Sequence, residues 1–233
     1  MKDILTIPAL AAEPGFIHGF STSGLGSVGL VHAPDPDAAL AARRAFARAL
    51  GVDAERLTVA GAVHGSTVAH VDEPWEVIQG VDALVTNKPG LGLFATYADC
   101  YPIVLWDREK RCAALVHAGW RGTHAGVAAE AVRVMRQDYG CQHIVAGIGP
   151  GICGRCYEVG EEVASKFETR FVSQGEAGKF LLDLAAANQA QLEDAGVSEV
   201  HVLGLCTKET PFLPSHRRDH DGARFGTIVA VSG

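Results

Sequence analysis

Residues 82–122 read Asp82-Ala83-Leu84-Val85-Thr86-Asn87-Lys88-Pro89-Gly90-Leu91-Gly92-Leu93-Phe94-Ala95-Thr96-Tyr97-Ala98-Asp99-Cys100-Tyr101-Pro102-Ile103-Val104-Leu105-Trp106-Asp107-Arg108-Glu109-Lys110-Arg111-Cys112-Ala113-Ala114-Leu115-Val116-His117-Ala118-Gly119-Trp120-Arg121-Gly122. Four apolar runs stand out: Ala83–Thr86, Leu91–Thr96, Pro102–Trp106 and Cys112–His117. Short apolar runs bounded by Gly, Pro, Asn and Asp read as strands rather than helices. Further β-like runs lie at Phe16–Ser21, Leu57–Val63, Val68–Val71, Ile144–Gly149, Val200–Leu205 and Thr227–Val231. Three helices are well punctuated. The first opens at Asp35-Pro36 and closes at Leu50-Gly51, with an N-cap, a first-turn proline and a terminal glycine. The second is expected from Thr123 to Tyr139, with Val127, Ala131, Val134 and Met135 at helical spacing, stopping at Gly140. The third is capped by Asp183 and ends at Gly196, and a shorter helix is expected to carry Val159, Val163 and Phe167. The strands cluster in the middle and do not alternate with helices, which predicts a mixed, layered α/β fold rather than a doubly wound parallel sheet. No repeat or linker is visible, and Pro211–Gly222 reads as a loop, so residues 1–233 are expected to form a single domain.

Composition narrows the function classes. The 233 residues carry 20 Lys and Arg against 27 Asp and Glu, a net charge of −7. That balance argues against a general nucleic-acid binder and against an anionic membrane surface as partner. No apolar run reaches the roughly 18 residues of a membrane span. Ile4–Ala12 is apolar, and Ala9-Leu10-Ala11 resembles a cleavage site, but Asp3 and Pro8 break the pattern of a secretory signal. The expected compartment is the cytoplasm. A chain this long needs no disulfide to fold, and its six cysteines are weak grounds for any. Cys112 and Cys206 read as buried strand cysteines.

Some motifs mislead. Gly24-Leu25-Gly26-Ser27-Val28-Gly29 matches the dinucleotide fingerprint, yet Pro34 and Pro36 forbid the helix that must open there. Cys153-Gly154-Arg155-Cys156 is a C-x-x-C without a second ligand pair at similar spacing after it, which leaves a redox pair or two turn cysteines. No H-E-x-x-H occurs, nor the H-x-E with P-C-x-x-C of cytidine deaminases.

The segments that combine a strand end, a glycine and a potential ligand are Val63-His64-Gly65, Tyr97-Ala98-Asp99-Cys100-Tyr101-Pro102 and Val116-His117-Ala118-Gly119-Trp120-Arg121-Gly122. Side chains at strand ends escape the packed sheet. Two histidines and a thiolate suit zinc, with a fourth position left open. The same residues admit a Cys–His nucleophile pair, or no more than ordinary strand ends.

These blocks carry a resemblance. With Asp82-Ala83-Leu84-Val85-Thr86, Ile148-Gly149-Pro150-Gly151-Ile152, Tyr157-Glu158-Val159 and Cys206-Thr207, the chain resembles the YfiH family, the laccase-domain or "multicopper polyphenol oxidase" proteins, over nearly its whole length. Ala98-Asp99-Cys100-Tyr101-Pro102 and His117-Ala118-Gly119-Trp120-Arg121-Gly122, with 17 residues from Cys100 to His117, are the specific pair. The resemblance implies an α/β/β/α sandwich with mixed sheets, shared with the cytotoxic necrotizing factor deamidases. It implies zinc held by His64, Cys100 and His117. It also implies phosphorolysis of adenosine, inosine, guanosine and S-methyl-5'-thioadenosine, with adenosine deamination. Some relatives are linked to editing of peptidoglycan precursors. The chain departs from the family pattern at Ala62, at Thr22-Ser23, at Ser215-His216-Arg217 and at Gly222-Ala223-Arg224. These departures touch the substrate pocket and leave the metal ligands intact.

Roles follow for the neighbours. Arg121, with the backbone from Gly119 opening the second helix, is expected to cradle phosphate. Asp99 orients a ligand histidine or accepts a proton, or else caps a turn. Arg217 and Arg218 reach substrate, or form a solvated charge pair. Catalytic roles are thus expected of Cys100, His117, His64 and Asp99, and substrate contacts of Arg121, Gly119 and Arg217. The ten histidines contain no His-x-His, which argues against laccase chemistry, although copper(II) outcompetes zinc at most such sites in vitro. Two alternatives stand beside the zinc phosphorylase. One is a cysteine amidohydrolase acting on peptidoglycan precursors through Cys100 and His117. The other is a metal-binding protein without catalysis. A zinc site requires the three donor atoms to converge to about 3–4 Å, and a separation beyond about 6 Å excludes it.

Overall fold

The computed structural model describes residues 3–31 and 33–233. Among these residues, two six-stranded sheets face each other. The first holds β1 (Ile4–Leu5), β2 (Phe16–Ser21), β3 (Leu57–Gly61), β5 (Val77–Gln79), β7 (Gly92–Tyr97) and β15 (Phe225–Val231), in the order β1-β2-β15-β7-β3-β5. The second holds β4 (Val68–His70), β6 (Ala83–Thr86), β8 (Tyr101–Asp107), β9 (Cys112–Ala118), β10 (Ile144–Ile148) and β14 (Glu199–Val202), in the order β14-β10-β8-β9-β6-β4. Both are mixed. In the second, β8 runs antiparallel to β9 and β10, while β14 pairs with β10 in parallel. A small sheet of β11 (Glu158–Val159), β12 (Val172–Gln174) and β13 (Phe180–Leu182) completes the set.

The central runs are continuously apolar because β8 and β9 are buried on both faces. Alternate side chains serve different layers. Val104, Trp106, Ala113 and Leu115 pack against Leu93, Tyr97 and Val229 of the first sheet. Ile103, Leu105, Ala114 and Val116 point the other way, onto α4 (Val127–Tyr139) and α6 (Leu184–Asp194). On the outer face of the first sheet, Phe94, Ile228 and Ala230 meet Ala42, Phe46 and Ala47 of α2 (Pro36–Ala49). The layers are helix, sheet, sheet, helix, as the resemblance implied. Both predicted aspartate caps form: Asp35 accepts from the Ala38 amide, and Asp183 from that of Ala186.

Several elements differ from expectation. The helix predicted from Thr123 to Tyr139 is two helices, α3 (Trp120–His124) and α4. Gly126, at φ 78°, takes the left-handed conformation between them. The shorter helix shrinks to α5 (Glu161–Ala164), because Val159 is already paired in β11 and Phe167 lies beyond the last turn. The apolar run near the start forms β1 and α1 (Pro8–Ala11), and Ile7 and Leu10 enter the core between the sheets. Strands β1, β5, β11, β12 and β13 escaped the sequence reading. Each is two or three residues long, too short for a two-residue period to register. No helix among the described residues is long and apolar enough to cross a membrane.

Candidate active site and metal centre

The site lies where the chain crosses from one sheet to the other. His64 sits on the crossing from β3 to β4, and Cys100 on the crossing from β7 to β8. His117 is the penultimate residue of β9, ahead of the turn into α3. Their donor atoms lie within 4.8 Å of one another. The two imidazoles meet edge to face, with ring centroids 5.0 Å apart.

Two backbone features permit this approach. His64 adopts φ 62°, an uncommon conformation for a non-glycine residue, which turns its ring back toward the strand ends. Gly119 lies so close that an added Cβ would stand 2.9 Å from both Cys100 Sγ and His64 Cδ2. Gly122 packs against the Gly65 carbonyl, where a Cβ would again meet oxygen at 2.9 Å.

Asp82 holds the group together. Its side chain is wholly buried. Oδ1 accepts from the His64 amide at 2.8 Å and meets His117 Nδ1 at 3.0 Å; Oδ2 accepts from the Gly65 and Val63 amides at 2.7 and 3.2 Å. Its carbonyl accepts from the His117 amide at 2.7 Å. A carboxylate on Nδ1 fixes the ring and frees Nε2 toward Cys100. Burial alone raises Cys100 and lowers His117. Their mutual charge, with the hydrogen bonds among Cys100, His64, His117 and Asp82, reverses both effects, bringing Cys100 down to about 6 and His117 up to about 9. Near neutral pH the metal-free pair is therefore thiolate and imidazolium.

The orienting carboxylate is Asp82, where the sequence reading looked to Asp99. Asp99 serves the loops: Oδ1 accepts from Thr207 Oγ1 and Ser215 Oγ at 2.6 and 2.7 Å, and Oδ2 from the Arg217 amide at 2.7 Å. In the sequence Asp82 is an ordinary aspartate just before β6, with no local pattern that marks it as a partner of the histidines. Arg218 is likewise a loop clamp, donating to Asp219 and to the carbonyls of Thr207, Thr210 and Leu213.

His64, Cys100 and His117 border a cleft of about 730 Å³, within the range of small-molecule sites. Arg121 and Arg217 also border it. Arg121 lies over the Trp120 ring, and Arg217 lies over Tyr157 while donating to the Glu158 carbonyl. The charges of both act on the Tyr157 hydroxyl, which burial nonetheless pushes up to about 12. Arg43 and Arg224 are further cationic lining residues, and the one carboxylate on the wall, Asp99, already has its oxygens occupied. The cleft of this acidic chain is therefore basic. Gly119 caps α3, but that helix is a single turn ending before Gly126. The field expected from one long helix is correspondingly reduced, and the positive charge at the cleft lies mainly on the arginines. Of the departures from the family pattern, Ala62, His216 and Arg224 border the cleft, whereas Ser23 lies off it in a turn whose amide donates to the Phe212 carbonyl.

The family described as multi-copper polyphenol oxidoreductase laccase matches residues 17–232. The chain belongs to that family. It is 39% identical over 243 aligned positions to a purine nucleoside phosphorylase of Deinococcus radiodurans, covering 99% of this chain and 92% of the relative. A purine nucleoside phosphorylase of Streptomyces coelicolor is 41% identical, covering 84% and 83%. An adenosine deaminase from an unknown prokaryotic organism is 38% identical, covering 70% and 69%. Among solved structures, YlmD of Geobacillus stearothermophilus superposes with a TM-score of 0.89 at 28% identity, covering 94% of this chain and 93% of its own. YfiH of Bacillus licheniformis gives 0.91 at 26% identity, covering 100% and 97%.

Two measurements test the geometry. Asp82→Asn removes the anion behind His117 and is expected to weaken metal binding about 10–100-fold in a zinc competition titration; unchanged affinity would show that Asp82 holds only the backbone. In the metal-free protein, the alkylation rate of Cys100 should rise as pH passes about 6 and level off by neutral pH, because the thiolate forms there. A midpoint near the ordinary thiol value of 9 would show that the pair with His117 does not form.

Proposed function

We propose that this protein is a zinc-dependent purine nucleoside phosphorylase that also deaminates adenosine, with residues 1–233 acting as one catalytic domain in the cytoplasm. The observation that carries the reading is the convergence of His64, Cys100 and His117 within 4.8 Å, beside a cleft whose free charges are arginines. The names of the relatives support the same chemistry.

The donor set fits zinc: one soft thiolate and two imidazoles, with the Nδ1 of His117 already taken by Asp82. Bond lengths near 2.0–2.3 Å put tetrahedral ligands about 3.5 Å apart, so small side-chain rotations close the remaining gap. Copper(II) is an expected competitor in vitro. Zinc held there would supply Lewis acidity and a nucleophilic water near neutral pH. The chain's own residues do the rest. Arg121 and Arg217 bind and orient phosphate for attack at C1' as the purine leaves. Trp120, Tyr157, Ile152 and Leu184 offer the base apolar surface. Adenosine, inosine, guanosine and S-methyl-5'-thioadenosine are the candidate substrates.

A second reading draws on one specific observation. Cys100, His117 and Asp82 line up as nucleophile, base and orienting acid, the order of a cysteine hydrolase. It makes the protein an amidohydrolase of peptide or peptidoglycan precursors. Activity that survives chelation, with an acyl adduct on Cys100, would favour it; loss on chelation and recovery with zinc would reject it.

Zinc-loaded protein given inosine and phosphate is expected to release hypoxanthine and ribose 1-phosphate. No product from any of the four nucleosides, or turnover equal to that of Cys100→Ala, would overturn the phosphorylase reading and leave a metal-binding protein. Arg121→Ala is expected to raise the KM for phosphate about 10–100-fold, the worth of a charge-assisted hydrogen bond, while sparing metal content and deamination. Equal loss of both reactions would remove the phosphate assignment.

A further inference from the structure

A second group of donor atoms assembles away from the cleft: Cys153, Cys156, Cys206 and Glu209, all within 4.8 Å of one another. We propose that these four side chains form a second zinc site, closed and structural, that fastens the loop after β10 to the loop after β14.

The spacing is that of two matched turns. Cys153-Gly154-Arg155-Cys156 is C-x-x-C, and Cys206-Thr207-Lys208-Glu209 is C-x-x-E. Each turn offers ligands at its first and fourth positions. The sequence reading found no second pair because Cys206 lies 50 residues beyond Cys156 and its companion is a glutamate. The fold removes that distance. Strands β10 and β14 are parallel neighbours, so the loops leaving their ends emerge side by side. Gly151 and Cys206 continue the pairing as a bridge, with the Gly151 amide donating to the Leu205 carbonyl and the Thr207 amide to that of Gly151.

The sulfurs are placed as ligands. The buried Cys206 Sγ accepts from the Cys153 amide at 3.3 Å and from the Lys208 and Glu209 amides. Backbone donors aimed at one sulfur fix its position facing the other three donors. Cys156 Sγ lies 3.4 Å from Glu209 Oε1, while Oε2 is held by Arg155 at 2.7 Å. One carboxylate oxygen thus faces the sulfurs as the other is fixed from outside, the usual support for a metal-binding carboxylate. Three thiolates and a carboxylate with no position reserved for substrate describe a structural zinc site, and thiolates of this number select a soft metal over magnesium or calcium. Its effect reaches the cleft through the chain. Ile152 and Tyr157, at either end of the first turn, line the cleft, and Thr207 in the second donates to Asp99.

The test uses the full chain with the first site silenced by His64→Ala and Cys100→Ser. This variant is expected to retain about one equivalent of zinc per chain after gel filtration, and titration with cobalt(II) alone should give thiolate charge-transfer absorption with the spectrum of a tetrahedral ion. Adding Cys153→Ser and Cys206→Ser should abolish both signals. The milder Glu209→Gln, which keeps all three sulfurs, should weaken zinc binding at least about tenfold in a chelator competition. Folding of each variant is followed by circular dichroism. A folded, fully reduced silenced variant that retains no zinc and gives no cobalt charge-transfer band would overturn the proposal. So would a Cys153–Cys156 disulfide in freshly purified protein, seen as a loss of two mass units, which would mark a redox pair instead. Because the first site is absent throughout, failure here leaves the phosphorylase reading untouched.

Discussion

One buried carboxylate organises the candidate site. Asp82 has no contact with solvent, and its two oxygens are shared among three consecutive backbone amides and one imidazole. A buried carboxylate without partners would be costly, and here it is offset on every side. The same contacts set the left-handed turn at His64, the orientation of the His117 ring and the separation between them. Residue 82 also stands immediately before the strand that pairs with β9, so site and sheet are joined through one backbone.

Around that point the molecule separates its charges. The chain is acidic overall, yet the cleft carries four arginines and a carboxylate already engaged by neighbouring loops. A recess lined by arginines concentrates positive potential in a chain whose net charge is −7. Arg121 and Arg217, each stacked on an aromatic ring, are restrained where they stand.

Much of this was legible in the sequence, for identifiable reasons. Strands β6, β8 and β9 are buried on both faces and so are written as unbroken apolar runs between turn residues. His64, Cys100 and His117 stood out because each lies beside a strand end or glycine turn. Other features were hidden by non-local causes. An aspartate before a strand looks like any turn residue, so the role of Asp82 emerges only when β6 is laid beside β9. The break between α3 and α4 was invisible because the apolar face that marks the helix begins only at Val127, so the residues before Gly126 carried no period of their own. The cysteine cluster at Cys206 depends on two strands being parallel neighbours, which no local pattern states.

The crossing of the chain between the sheets has a consequence for when the site comes into being. His64 and Cys100 lie on connections between opposite layers, and the first sheet is held together by β15, residues 225–231, wedged between β2 and β7. Pairing residues 16–20 with 227–231 joins segments more than 200 residues apart, the kind of contact that forms late and slowly. During synthesis that sheet must wait for its last strand to leave the ribosome. The layer that carries β3 and β7, from which the connections bearing His64 and Cys100 depart, is therefore completed only once residues 225–231 are in place.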